Sequence, residues 1–455
     1  MSRATMTTLL KKALNAHLPL ILTACAFGVR SATLLIRTKL IALLLGPQVY
    51  GLIALYTNII DIYSSLGSLG LGPALAKKIP TIEKNYKTVA FYFNSAYAVT
   101  ILSSIIISIL LIPLTLFTVS HFLDFDVSYI HVLLISMACT LFSLSSIQQS
   151  LLFGMKKYVI SYTIITVSNI FGSILSIIAI IYLNTFGAIL ALPIIPSIIF
   201  LCFSFFIANN IDLNRKFPTF RKIFRHISIL NRTAYVVLST KLIALFSLFI
   251  SQMLIAYFFS MEWLGYFSAV YFFALFMNNV IYDYCENILL PRLSRNFSEG
   301  FDISRDLNRD ISVIFLVFGT TLLLLSIFLC QIISIIFSEQ FLEATDLFAL
   351  SLTGSLFIIV AQPAHVLLMA QKNPIHFAVA ETIWNGFWLT FIVLGCLTGN
   401  PAYLGIGFLT ASILYFFYLY GMAYIHGGFL ASLSNWLLVV LYIGAFGLVG
   451  LWRLN

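Results

Sequence analysis

Four basic residues lie inside long apolar runs of this sequence, where a charged side chain is unfavourable. They are Arg30, Arg37, Lys39 and Lys241. A lone cation at the middle of a membrane helix costs roughly 2.5–3.5 kcal/mol, so four together would cost on the order of 10 kcal/mol. We therefore expect these side chains to face water, an acidic partner or an anionic solute rather than lipid.

The spacing of the first two cations predicts a basic track. Arg30 and Arg37 are separated by about two turns of a helix with 3.6 residues per turn, which places them on nearly the same face and roughly 10 Å apart along the axis. Lys39 lies about 200° around the helix from Arg37 by the same geometry. Lys241 is the equivalent cation on the first span of the second half of the chain. We predict that all four bind an anionic solute.

Four acidic residues also fall inside or at the ends of apolar runs, and the sequence leaves two interpretations of them open. They are Asp61, Asp283, Glu286 and Glu381. They could neutralise the buried cations, or they could couple transport to an ion or proton. Asp283 and Glu286 share a helical face, which suits an ion site and equally suits salt bridges to basic loops. We predict an ion-coupling role for all four.

Motifs for catalysis and for metal or cofactor binding are absent from the sequence. It contains no G-x-S-x-G, no H-E-x-x-H and no phosphate-binding glycine loop between a strand and a helix. The six cysteines each lie in an apolar run without C-x-x-C spacing, which argues against a zinc site or a disulfide framework. We therefore predict no catalytic residues, no metal and no cofactor, and hence no enzyme.

The composition requires a membrane protein. Of the 455 residues, 61% are hydrophobic and only 9% are charged, against roughly 25% charged residues in soluble domains. The apolar runs are continuous rather than alternating, so they predict helices and not a barrel. Thirteen spans are predicted: 17–44, 51–75, 86–117, 128–153, 158–182, 186–208, 231–258, 262–290, 310–337, 346–370, 374–398, 402–425 and 434–452.

Lys and Arg concentrate in alternate loops between these spans, which supports the count and predicts a cytoplasmic N-terminus. We predict an N-terminal six-helix lobe over 1–208, a cytoplasmic basic linker over 209–230, a C-terminal six-helix lobe over 231–425 and an additional helix over 426–455. The linker interleaves basic and aromatic residues, and we interpret it as an elbow on the phospholipid bilayer rather than a nucleic-acid site.

Three segments resemble the polysaccharide transporter family, which includes the O-antigen flippases. The run from Lys39 to Gly51, KLIALLLGPQVYG, is similar to that family's L-G-P-x-x-x-G signature. The segments LPRLSR at 290–295 and IFSEQFLEA at 336–344 are similar to its P-x-L-S-R and I-F-x-x-x-F motifs. The matching segments follow the family's order over most of the chain.

This resemblance implies the multidrug/oligosaccharidyl-lipid/polysaccharide flippase fold, in which two six-helix bundles surround a central cavity. It also implies alternating access, with a polyprenyl-pyrophosphate-linked oligosaccharide as cargo in a bacterial inner membrane. The four intramembrane cations are the positions that fit the family's basic cavity. A polysaccharide polymerase and a chain-length regulator are the implied protein partners, and the thirteenth span departs from the usual twelve.

Other functions remain open on the sequence. A multidrug antiporter of the same superfamily should have an acidic cavity, whereas the deep positions here are mainly basic. An O-antigen polymerase or membrane acyltransferase has a similar composition, but polymerases carry arginine-rich external loops and these loops lack Lys and Arg before Arg453. A lipid II flippase matches the motifs less well.

Overall fold

The computed structural model describes residues 3–82, 86–123, 128–211, 220–285, 289–290, 292–293, 303–370 and 375–454. These ranges are helical almost throughout and contain no β-strand. The fold class predicted from composition, an all-α polytopic membrane protein, is confirmed. Helices are the expected solution because each satisfies its own backbone hydrogen bonds in hydrocarbon.

Seven α-helices are described in the first part of the chain. They are α1 (Arg3–Ser68), α2 (Leu71–Lys78), α3 (Tyr86–Ile106), α4 (Ile112–Leu123), α5 (Tyr129–Gly154), α6 (Tyr158–Asn210) and α7 (Phe220–Phe258). A π-helical segment, Ile107–Leu111, joins α3 to α4, so these two form one continuous span.

Eight α-helices are described in the second part. They are α8 (Met261–Tyr284), α9 (Ile303–Ile314), α10 (Thr320–Ile327), α11 (Leu329–Ile336), α12 (Thr345–Ala370), α13 (Ile375–Thr398), α14 (Ala402–Gly427) and α15 (Leu433–Leu454). A second π-helical segment, Phe315–Gly319, joins α9 to α10. A 3-10 helix, Glu339–Ala344, leads into α12.

Each of the two longest helices contains a break, and this brings the number of helical spans closer to the thirteen that were predicted. The described residues contain 10 helical stretches that are long and apolar enough to cross a membrane. The backbone is non-helical at Gly46 within α1 and at Asn184 within α6, so each of these helices holds two predicted spans. With α8 as a further span, each of the thirteen predicted spans is helical over most of its described residues.

The chain divides into two compact units. Unit 1 comprises Met1–Leu45 and Leu55–Leu245, and unit 2 comprises Gly46–Ala54 and Phe246–Asn455. The predicted lobe and linker bounds remain predictions, as does the cavity between the lobes. Within unit 1, buried side chains of α2, α3, α5 and α6 form one apolar cluster, which includes Leu75, Phe93, Leu151 and Phe203.

In unit 2 the additional C-terminal helix, α15, is attached to α9 and α10 by polar contacts. The Asn308 side chain accepts from the Ser432 backbone N–H at 2.7 Å and donates to the Leu430 carbonyl at 2.9 Å, fixing the start of α15. Near the middle of α15, the Tyr442 hydroxyl lies 2.7 Å from the Thr320 hydroxyl. Such bonds hold helices together in lipid, where hydrophobic burial provides no driving force.

Candidate functional site

Three of the four predicted cations have described side chains, and all three belong to unit 1. Arg37 and Lys39 lie on α1 before its break, and both are half-buried. Lys241 lies on the part of α7 that belongs to unit 1, and its side chain is exposed. Arg30 lies on the same helix as Arg37, but its side chain is outside the described part of the structure. Their role in solute binding remains a prediction.

Lys241 has an acidic neighbour within unit 1. Asp61 lies on α1 beyond the break, is half-buried, and its carboxylate is attracted by the ammonium group of Lys241. The backbone carbonyl of Asp61 accepts hydrogen bonds from Ser64 at 3.2 Å and Ser65 at 2.7 Å. Pairing of cations with intramembrane acids, one of the two interpretations left open by the sequence, remains a prediction for Lys241.

Glu381 belongs to a polar network inside unit 2. It lies half-buried on α13, and its carboxylate is a neighbour of the buried Tyr415 hydroxyl of α14. Tyr415 is also a neighbour of the buried side chain of Gln362 on α12. The Gln362 Oε1 atom lies 3.3 Å from Nδ1 of His365, which is buried one turn further along α12. The network therefore links three helices of unit 2.

The two remaining acids cannot be placed in a site. Asp283 lies near the end of α8, where its side chain is outside the described part, and Glu286 lies outside the described residues altogether. Tyr282, the residue before Asp283, lies near Tyr415. The end of α8 is thus close to the Glu381 network, while the coupling role of these two acids remains a prediction.

Two of the segments that carry the family resemblance meet within unit 2. The ring of Tyr50, from the α1 segment, makes edge-on contacts with Phe337 at 6.0 Å and Phe341 at 5.7 Å between ring centroids. Both phenylalanines belong to the second segment, at 336–344. Such perpendicular aromatic pairs are favourable beyond the area they bury.

The glycines of the α1 segment have geometric reasons to be glycine. Gly46 has φ 73° and ψ −180°, a backbone region that is open essentially to glycine alone. A Cβ on Gly51 would lie 2.7 Å from the backbone N of Gly265 on α8, and a Cβ on Gly265 would lie 2.0 Å from the carbonyl oxygen of Pro47. Gly51 and Gly265 therefore allow α1 and α8 to pack with their backbones in close contact, next to the break at Gly46.

Sequence reasoning missed three members of the Glu381 network: Tyr415, Gln362 and His365. The search for intramembrane charge could not find the first two, because both are neutral. His365 could have been identified from the sequence, since ionisable residues inside membrane spans are rare and generally functional. Its position one turn after Gln362 also placed two polar side chains on one face of an apolar helix.

No curated protein sequence matches the chain. The structure is similar to the lipid II flippase MurJ in an inward closed conformation, with a TM-score of 0.71 at 16% identity, covering 94% of this chain and 98% of that one. It is also similar to an inward-facing multidrug resistance MATE family transporter of the MOP superfamily, with a TM-score of 0.61 at 13% identity, covering 86% and 94%.

A third similar structure is a MOP superfamily transporter from Pyrococcus furiosus, with a TM-score of 0.52 at 12% identity, covering 89% of this chain and 94% of that one. At these identities the likeness establishes a shared fold, that of flippases and transporters in this superfamily. The sequence itself matches a family model described as polysaccharide biosynthesis protein over residues 40–346. Because that match covers well over half of the 455 residues, the chain belongs to the polysaccharide biosynthesis protein family.

Proposed function

We propose that this protein is a flippase that moves a polyprenyl-pyrophosphate-linked oligosaccharide, such as an O-antigen repeat unit, across the bacterial inner membrane by alternating access. One observation carries the proposal. Unit 1 of a polysaccharide-biosynthesis family member holds Arg37, Lys39 and Lys241 within helices apolar enough to span the membrane, with side chains that are half-buried or exposed.

A pyrophosphate-linked sugar explains why such cations are kept there. Guanidinium and ammonium groups form strong charge-assisted hydrogen bonds to phosphate oxygens, and a guanidinium can bind two of them at once. The sugar hydroxyls would each cost several kcal/mol if left unpaired in hydrocarbon, so they need a wet path. In this proposal Arg30 and Arg37 form the basic track, and the prenyl tail stays in lipid.

The attraction between Asp61 and Lys241 fits this scheme. In this proposal the Asp61 carboxylate balances the charge of Lys241 when no cargo is bound. An arriving phosphate competes with Asp61 for the same ammonium, so a bound anion and the carboxylate repel each other. Asp61 then favours release of the cargo as well as stability of the empty protein. Asp61, Asp283, Glu286 and Glu381 are the proposed coupling groups.

The cellular setting belongs to the same proposal. The N-terminus is cytoplasmic, the protein acts without enzymatic turnover of its cargo, and it works beside a polysaccharide polymerase and a chain-length regulator. The rival cargo classes are lipid II and organic cations, which the structurally similar flippase and multidrug transporters suggest. A basic track suits the anionic lipid-linked cargoes better than organic cations.

The experiment is translocation of labelled polyprenyl-pyrophosphate oligosaccharide in proteoliposomes. Arg37→Gln and Lys241→Gln should each slow translocation about tenfold or more, since a hydrogen bond to a charged group contributes roughly 1.5–3 kcal/mol. Lys157→Gln is the matched control. Its ammonium lies 5.9 Å from the Phe206 ring centroid, and Lys157 lies between α5 and α6, not on α1 or α7, which carry the proposed cations.

Two results would contradict the proposal. Wild-type rates in both track variants would remove these cations from the mechanism. Transport of organic cations, without movement of the oligosaccharide, would favour the multidrug antiporter.

A further inference from the structure

Two histidines meet at the open end of the hairpin that α13 and α14 form in unit 2. A short turn at 399–401 joins the two helices at one end. At the other end, His376 is the second residue of α13 and His426 is the last but one of α14. Their ring centroids are 4.5 Å apart, and the angle between the rings is 33°.

The His376 ring is buried, and one of its nitrogens has no partner. His376 is 9% exposed. Its Nδ1 atom lies 3.4 Å from the Tyr418 hydroxyl of α14, whereas Nε2 is buried without a hydrogen-bond partner in the described part of the structure. A buried polar atom left in this way is unfavourable. In the tautomer that carries its proton on Nδ1, that N–H donates to Tyr418, and Nε2 presents a lone pair.

The separation of the two rings fits a pair of imidazoles bound to one metal ion. With a metal–nitrogen distance of about 2.0–2.1 Å, each ring centre lies about 3.2 Å from the ion, and two rings at about 90–109° are then about 4.5–5.2 Å apart. The observed 4.5 Å lies at the lower limit of this range. Rotation about each metal–nitrogen bond leaves the angle between the rings free, so 33° is compatible with it.

The surroundings of the pair also suit a metal. A metal-bound histidine generally donates its other N–H to a fixed partner, and Tyr418 is placed to accept from Nδ1 of His376. The His426 side chain is exposed and follows the predicted span 402–425, which gives an ion a path from water. Imidazole nitrogen suits Zn²⁺, Cu²⁺ and Ni²⁺, whereas Mg²⁺ and Ca²⁺ prefer oxygen.

We propose that His376 and His426 bind a divalent transition-metal ion, which holds the open end of α13 against α14. The described residues contain no group of three or more His, Cys, Asp or Glu side chains, so the protein supplies two ligands and water the others. This site departs from the sequence-based expectation of no metal, because fifty positions separate the two histidines and no motif spacing connects them. The inference is independent of the proposed cargo.

The test is Cu²⁺ binding to the purified full chain without a polyhistidine tag, read by electron paramagnetic resonance, in which nitrogen couplings count the bound imidazoles. We expect one ion with two imidazole ligands. His426→Ala should weaken binding about tenfold or more, since even the loss of a partner behind a ligand costs roughly 10–100-fold. Because His426 is exposed, this variant should fold. His121→Ala, which removes an exposed histidine of α4, is the matched control and should bind as the wild type.

A second measurement tests whether the ion holds the two helices together. Zn²⁺ should raise the melting temperature of the wild type and of His121→Ala, because a ligand that binds only the folded state stabilises it. It should leave the melting temperature of His426→Ala unchanged. His376→Gln, which changes the buried ligand, should also lose the response to Zn²⁺.

Several results would overturn the inference. These are equal copper binding by the wild type and His426→Ala, a spectrum with a single imidazole, or no binding at micromolar concentrations. A melting temperature that responds to pH through both histidines but not to Zn²⁺ would identify a proton site instead. Because no cargo is present in these measurements, a bound ion in a protein that moves no lipid-linked oligosaccharide would support the metal site and refute only the proposed transport function.

Discussion

Replacing Gly265 by alanine should separate the two helical segments that meet within unit 2. A Cβ at this position would lie 2.0 Å from the carbonyl oxygen of Pro47 and 2.6 Å from its carbonyl carbon. Real Cβ atoms essentially never come closer than 3.0 Å to another heavy atom. The Gly46–Ala54 segment of α1 and helix α8 must therefore move apart by roughly 1 Å to accommodate one methyl group.

The size of the effect follows from two opposing contributions. Overpacking costs about 1–3 kcal/mol, and the upper end applies here because the clash is with backbone rather than a flexible side chain. Alanine also stabilises a helix interior by about 0.8–1.0 kcal/mol relative to glycine. The expected net effect of Gly265→Ala is therefore a loss of about 2 kcal/mol in the free energy of unfolding.

The assay is reversible unfolding of the purified protein in mixed detergent micelles, with Gly386→Ala as the matched control. Gly386 lies inside α13, and a Cβ there would meet nothing within 4 Å. The control should gain about 1 kcal/mol, so the two variants should differ by about 3 kcal/mol. Equal stability of the two variants would refute the close contact between α1 and α8.

Two further predictions use the same assay. Gly46→Ala should lower the free energy of unfolding by about 1–3 kcal/mol, because alanine must adopt a backbone conformation open essentially to glycine. Gly421→Ala, which has open space at its Cβ, is the control and should not be destabilised. Equal losses of stability in the two variants would contradict the strain at Gly46. Asn308→Ala should cost about 2 kcal/mol through several lost hydrogen bonds and should expose the loop before α15 to protease. The control is Asn169→Ala, which loses one 2.8 Å hydrogen bond to a backbone carbonyl of its own helix. Unchanged proteolysis of Asn308→Ala would contradict the attachment of α15.

The spans were predictable because membrane crossing depends on properties that accumulate along the sequence. Apolar length and the alternation of basic loops located each helix, including the pairs separated at Gly46 and Asn184. The π-helical segments at Ile107–Leu111 and Phe315–Gly319 were not predicted. They depend on local packing, such as the Tyr442 ring lying over Gly319, which no hydropathy pattern records.

The candidate site was predictable only as far as charge reveals it. Glu381 was identified because placing a carboxylate in a membrane span costs free energy. Its partners Tyr415 and Gln362 lie on other helices and carry no charge, so neither composition nor helical spacing connects them with Glu381. The roles of Gly51 and Gly265 were hidden for the same reason, since a contact between distant segments becomes visible only in three dimensions.

The most direct test of the central claim is the leaflet on which lipid-linked oligosaccharide accumulates in cells that lack this protein. The account predicts accumulation on the cytoplasmic leaflet, and recovery when the wild-type protein is restored but not when Lys241→Gln is supplied. Normal translocation with unjoined repeat units on the outer leaflet would contradict a flippase and would indicate a polymerase instead.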